Sequence, residues 1–175
     1  MESPLTIMKR LRRLLLLVLL QVFVCNRINL FGYATPLLYV CFIIDLDSDV
    51  SVNMKLIWGA AIGFMIDLFS ATPGLNMAAA LLLAYVQPWV MSLFISTDRR
   101  ESVTPDIDTL GTVPFIGYVT ICVLFHHLLY FLLKCIPVAD WNMYLFKVLT
   151  SALMTVVILA VFYFSRPKVR RRIGD

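Results

Sequence analysis

Charged residues are scarce in this sequence: Asp, Glu, Lys and Arg make up 15% of its 175 residues, against 61% hydrophobic residues. With a mean hydropathy of +0.87, this scarcity excludes an ordinary water-facing surface, because a soluble globule of this size needs more polar cover. The apolar residues fall in blocks of roughly 20 residues, the length of a membrane-spanning helix. No block alternates with the period of two that a membrane β-barrel requires. The sequence therefore predicts an all-α, polytopic membrane helix bundle forming a single integral membrane domain over residues 1–175.

Motifs of known chemistry are also absent. The sequence has no Walker loop, no G-x-S-x-G elbow, no H-E-x-x-H helix and no CxxC or Cys/His spacing for a metal. Three aspartates at 45, 47 and 49 imitate the start of an EF-hand, but Val50 replaces the required Gly and Leu56 the required Glu. Although the net charge is +4, the basic residues flank the apolar blocks and form no face for nucleic acid. We therefore predict no catalytic residue, no cofactor, no metal and no nucleic-acid partner.

Six apolar segments are candidate membrane spans. They cover about 11–25, 33–47, 52–70, 75–95, 113–133 and 144–164. The second segment is short and begins near Pro36, so full crossing and partial insertion both stay open. The third segment runs into Pro73 and Gly74, a pair that predicts a tight turn. A hydrophilic loop at 96–112 separates the fourth segment from the fifth.

The distribution of Lys and Arg predicts the orientation. With six spans, three of the fifteen Lys and Arg residues, Arg27, Lys134 and Lys147, lie on one side. The twelve on the other side are Lys9, Arg10, Arg12, Arg13, Lys55, Arg99, Arg100, Arg166, Lys168, Arg170, Arg171 and Arg172. Because cytoplasmic loops carry the excess of positive charge, both termini are predicted to be cytoplasmic. The basic termini are also candidates for binding anionic lipid.

Asp67 is the carboxylate that the sequence places deepest in a predicted span. A charge at that depth must face a bundle interior, a cavity or a partner. Gly59, Gly63 and Asp67 are spaced by four, so the acid shares a helix face with small residues that allow close packing. One alternative is structural, with Asp67 accepting hydrogen bonds from the turn at 70–74. The other alternative is a role with a substrate, a proton or a partner protein.

Three more polar side chains lie in the predicted spans. His126 and His127 are adjacent, hence about 100° apart around the helix, and cannot both point to one site from the same face. We expect them to make interhelical hydrogen bonds, and either could pair with Asp67. Gln87 precedes Pro88, which indicates a kink, and its amide could bridge helices.

Three strings in the chain resemble the rod shape-determining protein MreD family. They are NLFGYATP at 29–36, GFMIDLFSATPG at 63–74 and AYVQPW at 84–89. The resemblance covers essentially the whole chain, and the Gly, the Asp four residues later and the following Pro-Gly turn are its most specific part. The pair His126-His127 followed by aromatic residues also resembles one branch of that family.

The resemblance implies a non-enzymatic, multi-pass protein of the bacterial inner membrane. Such a scaffold of the cell-elongation complex would link cytoplasmic actin-like filaments and MreC to peptidoglycan synthesis, and thereby set cell shape. Gly59, Gly63, Asp67, Pro73 and Gly74 would then form a partner or packing face. The family is also similar in fold to the substrate-binding subunits of energy-coupling-factor transporters. The alternative function is therefore binding of a small molecule, such as a vitamin, for an importer, although the spans hold few polar groups that could converge on one.

Overall fold

The computed structural model describes residues 4–28, 33–95, 103–136 and 140–166. These residues are helical and include no β-strand, which confirms the predicted all-α class. A 3₁₀ turn at Cys25–Arg27 follows the first helix. The α-helices of the described part are α1 (Pro4–Phe23), α2 (Val40–Ile44), α3 (Val52–Ser70), α4 (Leu75–Ser92), α5 (Ile107–Leu110), α6 (Thr112–Cys135) and α7 (Trp141–Phe164).

Four of these helices, α3, α4, α6 and α7, are long and apolar enough to cross a membrane. They contain 19, 18, 24 and 24 residues, which corresponds to about 27 to 36 Å of helix at 1.5 Å per residue. A hydrocarbon core about 30 Å thick matches this range. The helices pack in the order α3 on α4, α4 on α6 and α6 on α7. The architecture of the chain is therefore compatible with a membrane helix bundle.

These four helices keep close to their predicted bounds, whereas α1 begins at Pro4, seven residues before the predicted start of the first span. α3 begins and ends where predicted because Ser51 caps its first turn, accepting a hydrogen bond from the Met54 N–H at 3.4 Å, and because a tight turn follows it. In that turn Ala71 and Gly74 have positive φ angles of 52° and 79°. α4 ends at Ser92, three residues before the predicted limit, whereas α6 and α7 each begin earlier than predicted.

The second predicted span differs most from expectation. Within 33–47 the helix α2 has five residues, and the preceding residues form turns and irregular backbone. Pro36 contributes to this break, because it has no N–H and disfavours helical geometry at the residue before it. The segment nevertheless lies in the middle of the bundle, where Tyr39, Val40, Ile43 and Ile44 are 0% exposed.

Contacts between distant residues define the two ends of the bundle. At one end, here called the basic end, Arg13 and Arg166 both donate to Asp45. This contact joins α1, the residue after α2 and the end of α7. At the opposite end, here called the turn end, Asn26 Nδ2 donates to Ser70 Oγ at 2.8 Å, beside the α3–α4 turn. The first helix and the end of the last described helix are thus both bonded to Asp45 at the basic end. The predicted loop residues 96–102 and the basic tail from 167 onward lie outside the described residues.

Candidate functional site

The face formed by Gly59 and Gly63 packs against α4. A Cβ atom added to Gly63 would lie 2.4 Å from the Met77 Cα, and one added to Gly59 would lie 3.0 Å from the Ala80 carbonyl oxygen. Both distances are to backbone atoms, which cannot move without shifting the helix. The small-residue face predicted from the spacing of four is therefore occupied within the chain, by the neighbouring helix.

Asp67 extends the same face to the turn end and accepts four hydrogen bonds. Its Oδ1 accepts from the Thr72 hydroxyl at 2.9 Å, from the Asn76 N–H at 3.0 Å and from the Asn76 Nδ2 at 2.9 Å. Its Oδ2 accepts from the Met77 N–H at 2.9 Å. The carboxylate thus satisfies N–H groups at the first turn of α4, where the helix dipole also favours a negative charge. This geometry supports the structural alternative for Asp67, since its oxygens are directed at the turn and the helix start.

A hydrogen-bonded chain runs from Asp67 into the bundle interior. Asn76 donates to the carboxylate, so its Oδ1 is left to accept a hydrogen bond, and the Tyr39 hydroxyl supplies one at 3.0 Å. The same hydroxyl lies 2.9 Å from Nε2 of His126. Because the Tyr39 proton goes to Asn76, Nε2–H of His126 must be the donor in the second contact. His126 is therefore linked to Asp67 through two intermediaries and does not pair with it directly.

The assigned tautomer of His126 leaves its Nδ1 without a hydrogen. Among the described residues this nitrogen has no hydrogen-bond partner, and His126 is 0% exposed. The lone pair of Nδ1 therefore has no donor, while the Nε2–H of the same ring is hydrogen-bonded to the Tyr39 hydroxyl.

His127 points to a different helix. Its Nδ1–H donates to the Val123 carbonyl oxygen at 2.8 Å, which leaves Nε2 as an acceptor 3.1 Å from the Thr155 hydroxyl of α7. The two adjacent histidines thus contact different elements, as expected from their angular separation. His127 makes the expected contact between helices, whereas the partner of His126, Tyr39, lies just before α2.

Gln87 connects several elements closer to the basic end. Its Oε1 accepts from Lys55 Nζ at 2.7 Å, and its Nε2 donates to the Tyr118 hydroxyl at 2.8 Å and to the Leu46 carbonyl oxygen at 3.2 Å. Tyr118 in turn donates to the Ile44 carbonyl oxygen at 2.8 Å. Gln87 therefore bridges α3, α6 and the end of the second segment, which is the bridging role that the sequence left open for it.

Gln21 binds the backbone of the non-helical part of the second segment, a role that was not predicted from the sequence. Its Oε1 accepts from the Leu38 N–H at 2.8 Å and its Nε2 donates to the Pro36 carbonyl oxygen at 3.0 Å. Backbone groups inside lipid or a dry bundle must find partners within the protein. The feature of the sequence that could have identified this role is the position of Gln21, a single amide within the apolar run at 14–25.

Two residues of α7 perform the same task from the other side. Ser151 Oγ accepts from the Thr35 N–H at 3.1 Å, and Thr155 Oγ1 accepts from the Leu37 N–H at 3.1 Å. Both hydroxyls are fully buried, at 0% exposure. Their spacing of four places them on one helix face and could have identified them as a pair.

Asp45 is the centre of an ionic cluster at the basic end. Its carboxylate accepts from Arg13, from Arg166 at 2.9 Å and from the Tyr163 hydroxyl. The Asp45 side chain is only 4% exposed. In the sequence these arginines were interpreted as signals of membrane orientation. In the structure they also bind α1 and the end of α7 to Asp45 of the second segment.

The polar side chains described above are engaged mainly with one another and with the backbone at 35–46. Among the described residues no three His, Cys, Asp or Glu side chains are grouped to bind a metal ion. The arrangement fixes an irregular segment at the centre of a helix bundle. Comparison of this chain with protein families, with curated proteins and with solved structures finds no match.

Proposed function

We propose that this chain is a non-enzymatic membrane scaffold of the MreD kind. In this role it sits in the bacterial inner membrane and connects MreC and cytoplasmic actin-like filaments to peptidoglycan synthesis. The three strings in the sequence carry the resemblance from which this proposal starts. The packing of the bundle supports a protein that presents a fixed surface to partners.

The observation that carries the proposal is the occupied interior. The second segment fills the centre of the bundle, and residues 37–44 are at most 9% exposed. Side chains from α1, α4, α6 and α7 are bonded to this segment. A subunit that carries a vitamin needs a concave site for its ligand, whereas a scaffold needs a rigid body. The filled interior therefore favours the scaffold over the importer alternative.

The proposed orientation puts the basic end in the cytoplasm. The ionic cluster brings Arg13 and Arg166 to that end, and cytoplasmic segments carry the excess of positive charge. We propose six crossings in total, with α1 and the buried second segment added to the four long apolar helices. Both termini are then available to the filament side of the complex, and the turn at 71–74 faces the peptidoglycan side.

The test is affinity purification of the tagged full chain from its native membrane, with the bound proteins identified by mass spectrometry. The expected result is recovery of MreC and enzymes of peptidoglycan synthesis. Recovery instead of the ATPases and the coupling subunit of a transporter would overturn the scaffold proposal in favour of the importer.

A pair of neighbouring variants sharpens this experiment. Gly63→Leu forces a side chain into the α4 backbone, while Phe64→Leu alters a side chain that is 51% exposed on the outer surface of α3. We expect the first variant to lose the partners and the second to retain them, with both still inserted in the membrane. Full recovery of partners with Gly63→Leu would show that the fixed α3–α4 packing is not needed for assembly.

A further inference from the structure

Two arginines meet at the basic end, where each lies at the edge of an apolar run. Arg13 precedes the apolar run at 14–25, and Arg166 follows the end of α7 at Phe164. Both guanidinium groups donate to the same atom, Oδ2 of Asp45. Because hydrogen bonds of ordinary length converge on that oxygen, nitrogen atoms of the two groups lie within about 6 Å of each other. The contact therefore places two cations from distant parts of the chain side by side.

The cluster carries more positive than negative charge. The Asp45 carboxylate is the anion that both arginines share, and its Oδ1 accepts from the uncharged Tyr163 hydroxyl. Arg10, one helical turn before Arg13, pairs with Asp47 at 3.2 Å, so that aspartate already balances another cation. One positive charge of the cluster is therefore left for an anion that comes from outside the bundle.

Both guanidinium groups are accessible to such an anion. The exposed fraction of the side chain is 35% for Arg13 and 31% for Arg166, against 4% for Asp45. A guanidinium has five N–H donors in a planar fork, and the bonds to Asp45 use one nitrogen of each arginine. The Arg166 group also lies over the rings of Phe162 and Tyr163, 4.6 and 4.5 Å from their centroids, which restricts its orientation. Donors at fixed positions are thus available at the surface.

Phosphate is the anion whose chemistry and location fit this pair. Arginine binds phosphate through parallel charge-assisted N–H···O bonds of about 2.7–2.9 Å, and two guanidinium groups this close together can contact one phosphate. The pair lies where apolar helices meet the basic termini, which is the level of the lipid phosphates in a bilayer.

We propose that Arg13 and Arg166 bind one phosphate group at the basic end, from an anionic phospholipid or from a soluble phosphate compound, while Asp45 sets their spacing. General attraction of basic termini to anionic lipid needs no particular residue, whereas this site needs these two. The site does not depend on the proposed partners, so failure to recover MreC would leave it standing.

The test is native mass spectrometry of the detergent-solubilised full chain, titrated with dioleoylphosphatidylglycerol or with dioleoylglycerol, which has the same acyl chains and no phosphate. We expect the chain to retain the first lipid and to lose the second. Loss of one charge-assisted contact weakens binding about tenfold, so Arg13→Gln and Arg166→Gln should each reduce phosphatidylglycerol retention by about this factor. The matched control is Arg12→Gln, which removes an exposed cation next to Arg13 and should leave retention unchanged. An equal reduction in all three variants would overturn the proposal, because it would show attraction by the basic terminus as a whole.

Competition with soluble glycerophosphate distinguishes the two sources of phosphate. Displacement of the bound lipid at a similar concentration would assign the site to soluble phosphate compounds. Retention of the lipid would show that its acyl chains contribute and that a phospholipid is the ligand.

Asp45→Asn separates phosphate binding from the structural role of the cluster. The change keeps both arginines and removes the negative charge between them, so we expect stronger retention of phosphatidylglycerol with unchanged elution in size-exclusion chromatography. Unchanged or weaker retention in a protein of normal elution would overturn the proposal. If Arg13→Gln and Arg166→Gln retain the lipid but lose a protein from the native membrane complex, the cluster binds an acidic protein segment and the phosphate proposal is wrong.

Discussion

Single side chains in this protein supply the hydrogen bonds that buried backbone groups and buried charges cannot obtain from water. Asp67 illustrates the case: a buried carboxylate is tolerated because donors from the turn and from α4 surround both of its oxygens. Asp140 plays a similar part at the start of α7, but within the described residues only one of its oxygens accepts hydrogen bonds. That oxygen accepts from the N–H groups of Asn142 and Met143 at 2.9 and 3.2 Å. The two aspartates therefore differ in what an amide replacement would change.

The first prediction compares Asp67→Asn with Asp140→Asn. An asparagine retains one acceptor oxygen, so Asp140→Asn should keep both of its bonds and change stability by a few tenths of a kcal/mol. Asp67→Asn places an NH₂ group opposite the Met77 N–H, and we expect a loss of about 1–3 kcal/mol. Reversible unfolding of the purified protein in mixed micelles measures both values. Equal values for the two variants would contradict the two-oxygen role of Asp67.

Among the structural elements, the second segment is unusual because its backbone depends on side chains from elsewhere. Gln21, Ser151 and Thr155 take the place of the hydrogen bonds that a continuous helix would make for itself. Non-helical backbone at membrane depth is tolerated where protein surrounds it. The stability of this element is therefore a property of α1 and α7 as much as of its own sequence.

The second prediction concerns Gln21→Leu. This change keeps the size of the side chain but leaves the Leu38 N–H and the Pro36 carbonyl oxygen without partners, at a cost of about 2–5 kcal/mol for the two groups. Thr150→Val is the control, since among the described residues its hydroxyl bonds to carbonyl oxygens of its own helix alone. Hydrogen exchange should show faster exchange at residues 37–39 in Gln21→Leu and unchanged exchange in Thr150→Val. Unchanged protection in both variants would contradict the role assigned to Gln21.

The long elements could be predicted from the sequence, and the second segment could not. The ends of α3 follow from local signals, namely the Ser51 cap and the Pro73-Gly74 turn, and the common face of Gly59, Gly63 and Asp67 follows from helical spacing. The helix that covers this face could not be identified from the sequence, because residue spacing shows which side chains share a face but not which helix packs against it. The shape of the second segment depends on bonds to residues as far as 118 positions away, which no local pattern reveals.

At the scale of the whole molecule, the ionic cluster at Asp45 fixes the first and last helices to one end. The side of the membrane on which this end lies follows from charge alone and stays a prediction. The location of the two ends can be measured at two exposed residues. Met8, 66% exposed, lies near the start of α1 at the basic end, and Ile136, 63% exposed, lies just after α6 at the turn end.

The third prediction uses these two positions for labelling in intact spheroplasts with a membrane-impermeant maleimide. Cys135 is first replaced by serine, since it is half-buried beside Ile136 while the other three cysteines are buried. We expect Ile136→Cys to react in intact cells, and Met8→Cys to react only after permeabilisation. The reverse pattern would contradict the cytoplasmic assignment of the basic end.

The bonds from Ser151 and Thr155 to the second segment also determine the order of biogenesis. The amides of Thr35 and Leu37 are synthesised 116 and 118 residues before the hydroxyls that satisfy them. While the ribosome completes the intervening helices, those amides must remain near water or near the insertion machinery, because a bilayer core cannot solvate them. Final placement of the second segment therefore waits for α7, and a chain released before α7 is made should stay unassembled and be a substrate for membrane proteases.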